Sequence, residues 1–186
     1  MERYIQKVYS HHPSLRYYSQ YLPDLLRDEA PWNEAPELHE LAKIEKAFCD
    51  SFDAADCTPA AVEDLAAIDP GHWPELTVRF NKSVQLIPTR YNSFLIWQAL
   101  SDGKEPPEVT EDSSTWLLWR RDLISQYLAV STPEAEAFRI MQAGGSFSEM
   151  CESLLDHYDA QETPAQAVAL LQGWLAEKMI EQINTD

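Results

Sequence analysis

The stretch from residue 115 to residue 183 constrains the fold most, because it carries strand and helix signals in a clear order. Thr115–Trp119 and Leu123–Val130 are rich in the aromatic and β-branched residues that favour strands. Residues 120–122 separate the two runs with charged side chains. The pattern therefore predicts a β-hairpin.

Signals for three helices follow the hairpin. Thr132-Pro133 is typical of an N-cap followed by proline at the first helical position, and Gly144-Gly145 ends that helix. Ser146-Phe-Ser-Glu149 is a capping box that opens the next helix. Thr163-Pro164 starts a last helix, which we expect to reach Ile183. This order predicts a small winged-helix-like module, a scaffold that DNA-binding and peptide-binding proteins share.

Helical periodicity dominates the chain before residue 70. We expect helices over residues 2–10 and 37–55, and the second has one apolar stripe of residues three or four positions apart. Thr77–Phe80 and Ser83–Ile87 alternate instead, as strands do, so we expect them to join the hairpin in one sheet of three or four strands. The predicted core is Leu41, Ile44, Phe48, Phe52, Val84, Leu86, Ile96, Trp97, Leu117, Phe138, Leu154, Leu171 and Trp174.

These patterns predict an α+β fold with two domains. Residues 1–70 form a helical N-terminal domain in this interpretation. Residues 71–186 form a small mixed α/β, winged-helix-like C-terminal domain that contains the hairpin and the helix-turn-helix.

The charge of the chain argues against polyanionic partners. The sequence has 31 acidic and 14 basic residues, a formal net charge of −17, so nucleic acid and anionic membrane surfaces are repelled at long range. No apolar run approaches the roughly 20 residues that span a bilayer, and the segment after Met1 is polar and aromatic, so we expect no signal peptide. The cysteine count of 3 is odd and the spacing fits no metal site, which indicates a reducing compartment. We therefore expect a cytoplasmic protein.

The sequence has no pattern that is typical of catalysis. The 5 histidines are scattered, and the 5 glycines leave little material for a phosphate-binding loop. A nucleophile elbow and a paired-carboxylate motif are also missing from the sequence. We expect no catalytic residue, no metal site and no cofactor in this chain.

Several segments together resemble the HvfC/BufC family, long labelled a DNA-binding domain. The clearest is Lys82-Ser-Val-Gln-Leu-Ile-Pro-Thr-Arg-Tyr91, followed by Ile96-Trp-Gln98. Leu41-Ala-Lys-Ile-Glu-Lys-Ala-Phe48 resembles the usual lead-in, and Ala169-Leu-Leu-Gln-Gly-Trp-Leu-Ala176 resembles the helical tail. The resemblance spans nearly the whole chain. Family members usually have further helices at the N-terminus, so we expect a short or N-terminally shortened member.

The resemblance implies an accessory role in the biosynthesis of ribosomally made, modified peptides. Such proteins are non-catalytic partners of multinuclear-iron TIM-barrel enzymes that modify cysteines. This chain would form a heterodimer with that enzyme, bind the leader of the precursor peptide and present its cysteine. The partner enzyme would hold the iron.

Two alternatives are a DNA-binding transcriptional regulator and a generic protein–protein interaction module. The first follows from the family label and from the helix-turn-helix pattern. However, residues 146–158, the expected recognition helix, contain Glu149, Glu152 and Asp156 and no lysine or arginine. Residues 122–186 carry eleven acidic and two basic side chains, a net charge of −9. A helix of this sign is repelled by phosphates and has no cation to reach guanine.

The hairpin is the predicted peptide-binding element, because an extended peptide can add a strand to an exposed sheet edge. Arg120 and Arg121 are the only adjacent cations in the sequence and could pair with a carboxylate of the partner. We expect their replacement by glutamate to weaken the assembly and leave the fold intact. The alternative is structural, since tryptophans in hairpins are common core residues and paired arginines also cap turns. The candidate residues are Trp116, Leu118, Trp119, Arg120, Arg121 and Tyr127.

Overall fold

A computed structural model describes residues 2–7 and 15–185, and the end of the predicted first helix, residues 8–10, lies outside them. The fold is α+β, as the sequence predicts. The α-helices are α1 (Glu2–Lys7), α2 (Leu22–Asp28), α3 (Glu37–Asp53), α4 (Val62–Ala66), α5 (Ser93–Ser101), α6 (Thr132–Gln142), α7 (Phe147–Leu154) and α8 (Thr163–Ala176). The strands are β1 (Thr77–Phe80), β2 (Gln85–Tyr91), β3 (Glu111–Arg121), β4 (Ile124–Val130) and β5 (Ile180–Asn184). Short 3₁₀ helices span Leu15–Tyr21, Trp32–Glu34 and Pro70–Glu75.

The chain divides into two compact units. One comprises Met1–Asp50 and Ile87–Ser114, and the other comprises Ser51–Leu86 and Thr115–Asp186. These units differ from the two predicted domains. The boundary near residue 70 stays a prediction.

In the first unit, α3 and α5 provide the main packing. Ile44 on α3 is completely buried, and the ring of Phe48 stacks on Trp97 of α5 with centroids 4.3 Å apart. The carboxylate of Glu40 accepts hydrogen bonds from the Arg90 backbone N–H (2.7 Å) and the Ser93 hydroxyl (2.6 Å). The amphipathic pattern of α3 therefore has the structural role that its spacing predicts.

In the second unit, α6, α7 and α8 enclose an apolar core with β1 and β5. Phe138 is completely buried between Phe80 and Trp174, with ring centroids 4.4 Å and 5.7 Å away. The predicted capping box of α7 is present: the Ser146 N–H donates to Glu149 Oε2 (2.7 Å), and the Glu149 N–H donates to Ser146 Oγ (3.2 Å). The helix-turn-helix part of the prediction is therefore confirmed at the level of its elements.

The strands form two sheets in the described residues, not the single sheet that the sequence predicts. One has the order β2–β3–β4, and the other pairs β1 with β5. The predicted helix to Ile183 is wrong, because α8 ends at Ala176 and β5 follows it. Lys178 has a φ of +59°, which turns the chain out of the helix, and Ile180 is then buried against the core beside β1.

One predicted core residue is also wrong. Phe52 is 59% exposed, so the apolar stripe of α3 does not stay covered as far as the last turn of the helix, which ends at Asp53. The rest of the predicted core is buried or half-buried.

Candidate functional site

The hairpin of β3 and β4 has a tight two-residue turn. Arg121 pairs with Ile124, and Asp122 and Leu123 between them have φ angles of +51° and +64°. Two successive left-handed residues are typical of a type I′ turn, which matches the twist of the strands and normally has asparagine and glycine. Leucine is unusual there, because its Cβ makes the left-handed conformation unfavourable.

The structure places two candidate residues where no ligand can reach them. β3 is the central strand of its sheet, and Leu118 and Trp119 are 0% and 3% exposed. Trp119 belongs to the apolar core, where its indole N–H is buried with no hydrogen-bond acceptor among the described residues. The first strand of the hairpin therefore has no free edge, because the sheet has a further strand on each side of β3, and neither buried side chain is available for contact with a peptide.

Arg120 has a structural role. Its side chain is 12% exposed and donates hydrogen bonds to the carbonyls of Phe52 and Ala54 (2.8 Å for Ala54) at the end of α3. It also pairs with Asp56 Oδ1 at 2.6 Å. Carbonyls at a helix end have no partners within the helix, so a guanidinium satisfies them well. These contacts speak against the prediction that glutamate at this position leaves the fold intact, and we expect that substitution to destabilise the chain.

Two ion pairs tie the tip of the hairpin to the turn between α8 and β5. Arg121 Nη1 lies 2.6 Å from Glu177 Oε2, and Lys178 Nζ lies 2.7 Å from Asp122 Oδ1. Hydrogen bonds from Lys178 hold the pKa of Asp122 below its ordinary value, so the carboxylate is ionised at neutral pH. Asn81 Nδ2 in turn donates to the Lys178 carbonyl at 2.8 Å. We call the two pairs, Arg121–Glu177 and Asp122–Lys178, the tip clamp.

A polar cleft of about 250 Å³ lies beside the tip clamp. Burial raises the pKa of the Cys57 thiol in its wall, and the nearby carboxylates of Glu181 and Asp56 add to the shift. A thiol with a raised pKa is mostly protonated at neutral pH, which makes it a poor nucleophile. The cleft is lined by Ala55, Asp56, Cys57, Pro59, Asn81, Ser83, Arg120, Arg121, Asp122, Leu123 and Lys178.

The remaining candidates, Trp116 and Tyr127, lie on the opposite face of the hairpin from Trp119. Their ring centroids are 6.1 Å apart, and both side chains are half-buried. The structure brings them together as a cross-strand aromatic pair, which stabilises a hairpin.

The backbone of β4 offers hydrogen-bonding groups on the side away from β3. Residues that flank a two-residue turn form a hydrogen-bonded pair, so Arg120 and Ser125 form a non-hydrogen-bonded pair. The Arg120 N–H confirms this, because it points away from β4 and donates to Ser83 Oγ at 3.0 Å. The N–H and C=O groups of Ser125 and Ala129 therefore point outward, and the strand order places no described strand beyond them.

Three apolar side chains lie along this edge: Leu123, Ile124 and Leu128, which we call the edge strip. They are 71%, 63% and 52% exposed. Leu128 pairs across the strands with Leu117, which is completely buried, so the apolar face of the sheet continues uncovered onto β4. Our sequence reasoning missed these residues, although β4 has neither a charged residue nor a proline to protect an edge.

A metal-binding group and a membrane-spanning helix are both absent from the described part of the chain. Over residues 2–7 and 15–185, no three His, Cys, Asp or Glu side chains come together in a group that could hold a metal ion. Within the same ranges, none of the helices is long and apolar enough to cross a bilayer.

Comparison with known proteins gave no match, either to a protein-family model or to a curated protein. The resemblance to the HvfC/BufC family therefore stays a prediction from the sequence.

Proposed function

We propose that this chain is a non-catalytic subunit that binds a ribosomally made precursor peptide and presents its cysteine to an iron-dependent TIM-barrel enzyme. The peptide adds a strand to β4. The outer edge of β4 carries the proposal, because the outward backbone groups of Ser125 and Ala129 lie beside the exposed apolar edge strip. Strand addition uses both features, since backbone hydrogen bonds supply affinity and alternate side chains supply selectivity.

The composition of β4 supports a covered edge. Natural proteins protect exposed edges with charges, prolines or bulges. The sequence of β4, ISQYLAV, has no charge and no proline, and its register with β3 is continuous over all 7 residues. An unprotected edge readily pairs with another strand, so we expect a strand of the peptide to cover it in the complex.

Charge favours a peptide over a second copy of the chain. The net charge of −17 makes two copies repel each other, whereas a peptide with basic residues beside its apolar strand is attracted. Because β4 itself is uncharged, the strand that pairs with it needs only apolar or small polar side chains. We therefore propose an extended peptide with alternate apolar residues and basic flanks.

The enzyme half of the proposal rests on the HvfC/BufC resemblance. In that role the chain contributes recognition and positioning, and the partner supplies the iron chemistry. Coexpression of the chain with an adjacent iron enzyme, with and without a neighbouring cysteine-containing peptide, tests it. We expect a heterodimer that captures the peptide. Independent elution of enzyme and chain in both cases would contradict this half.

The charge of the second unit does not favour DNA binding. α7, the second helix of the helix-turn-helix, carries Glu149 and Glu152 and no basic residue. α8 contains no lysine or arginine either. We expect no shift of duplex DNA in a gel-shift series at physiological salt, where specific sites usually bind at or below about 10⁻⁸ M.

The edge is tested with a defined probe. We call it the strand probe: a short fluorescein-labelled synthetic peptide of alternating valine and threonine with a lysine at each end. Fluorescence anisotropy measures its affinity for the chain. Leu128→Lys places a charge in the edge strip and is expected to weaken binding by at least about tenfold.

Leu155→Lys provides the matched control. Leu155 is 50% exposed, close to the 52% of Leu128, but lies at the end of α7 and outside β4. We expect it to bind the probe within about twofold of the unchanged chain. Equal loss in both variants, or no binding by the unchanged chain, would contradict strand addition. A stable dimer of the chain in solution would instead assign the edge to a second copy.

A further inference from the structure

Leu123 combines two unfavourable properties at the tip of the hairpin. Its φ of +64° lies in the left-handed region, which costs roughly 1–2 kcal/mol per residue for side chains with a Cβ. Its side chain is also 71% exposed, the largest exposure among the large apolar side chains of the described residues. Glycine or asparagine would fit the turn better and would expose no apolar surface. Neither the turn nor the core explains a leucine here.

The surroundings of the turn offset this strain. Asp122, the other left-handed residue, is held by Lys178, and Arg121 before it is held by Glu177. Lys178 is itself left-handed, with a φ of +59°, and Asn81 fixes its carbonyl. The tip clamp therefore holds a turn that its own sequence does not favour. Strain that is maintained in this way is characteristic of functional sites.

We propose that Leu123 is a specificity-determining contact residue, held outward by the tip clamp to pack against an apolar side chain of the peptide on β4. This rests on the proposed function and identifies the position on the peptide that is selected. Leu123 immediately precedes Ile124, the first residue of β4, and so stands at one end of the edge strip.

The arrangement also predicts the direction of the bound peptide and the kind of residue at the selected position. The neighbouring strand β3 runs antiparallel to β4, and an incoming strand that continues this pattern has its C-terminal end at the hairpin tip. Its residue beside Leu123 leaves the regular pairing with β4, so it contributes side-chain contact and few backbone hydrogen bonds. We therefore expect a large apolar residue at this position near the C-terminal end of the bound segment.

The test separates contact from conformation. Leu123→Asn and Leu123→Gly both relieve the left-handed strain and both remove the apolar contact. We expect the melting temperature to stay the same or rise by up to about 4 °C, while affinity for a strand probe with leucine in place of its last valine falls about tenfold. Leu123→Met keeps an apolar side chain in the strained turn and should bind within about twofold of the unchanged chain.

Each outcome bears on the proposed role of Leu123. If Leu123→Asn binds the probe as tightly as the unchanged chain does, Leu123 is not a contact residue. If its melting temperature falls, the turn is not strained as inferred. Equal weakening by Leu123→Met and Leu123→Asn would also overturn the proposal, since an apolar contact would then not be the cause. Failure of the unchanged chain to bind the probe would instead remove strand addition itself, and this inference with it.

Discussion

Arg120 provides the most quantitative prediction, because its contacts are few and well defined. Arg120→Met keeps the aliphatic stem and removes the guanidinium, so the carbonyls of Phe52 and Ala54 lose their donors. Each lost hydrogen bond from a charged group costs about 1–2 kcal/mol when the partner stays poorly solvated. Asp56 is 84% exposed, and the loss of its pair with Arg120 adds little. We therefore expect the free energy of unfolding to fall by about 2–4 kcal/mol.

Urea unfolding followed by circular dichroism measures this loss, and the melting temperature should fall by about 5–15 °C. Arg121→Gln is the control, because Arg121 is 36% exposed and makes one ion pair with the half-exposed Glu177. We expect that variant to lose less than about 1 kcal/mol. If Arg120→Met unfolds at the same urea concentration as the unchanged chain, Arg120 is not the cap of α3, and its guanidinium is available for a ligand.

The remaining predictions concern stability and local opening of the chain. Gly173→Ala should stabilise α8 by about 0.5–1 kcal/mol, because nothing lies within 4 Å of the added Cβ. Gly145→Ala should instead destabilise by about 1–3 kcal/mol, since its Cβ would lie 2.6 Å from Ile140 Cγ2 and 2.9 Å from the Ile140 carbonyl oxygen. Urea unfolding of the two variants checks the sign of each effect. Burial raises the pKa of Glu134, so the folded chain keeps this proton to higher pH than the unfolded chain. The associated stability is complete below the ordinary pKa and is lost as the pH rises through the raised one. Glu134→Gln retains an acceptor for the Trp174 indole and should be more stable than the unchanged chain at neutral pH but not in acid, as melting curves at both pH values would show. Finally, Lys178→Gln should speed hydrogen exchange in the hairpin, whereas Arg79→Gln, which removes an exposed ion pair with Glu181, should not.

Local signals in the sequence predicted individual elements well. The capping box at Ser146 and Glu149 and the apolar stripe of α3 depend on neighbours a few positions away, and both have the predicted structure. Such patterns are decided by short-range hydrogen bonds and by burial of one helix face. The element order of the second unit followed from them as far as α8.

The same local signals could not predict which strands pair when they lie far apart in the sequence. Residues 180–183 fall within the predicted last helix, yet residues 180–184 form β5, because β1 offers a partner strand about a hundred residues earlier in the chain. The central position of β3 in its sheet also depends on pairing with β2, which the local signals do not reveal. This position places Leu118 and Trp119, two of the predicted peptide contacts, in the interior. The edge strip was predictable from the missing charge and proline in β4, once the outer strand was known.

The most direct test of the account is hydrogen exchange at single amides of β4, with and without the strand probe. The Ser125 and Ala129 amides point away from β3, so they should exchange quickly in the free chain and become protected when the probe adds a strand. The Gln126 amide points towards β3 and should be protected in both states. If the probe binds while Ser125 and Ala129 exchange as quickly as before, the peptide does not pair with β4, and the central claim is wrong.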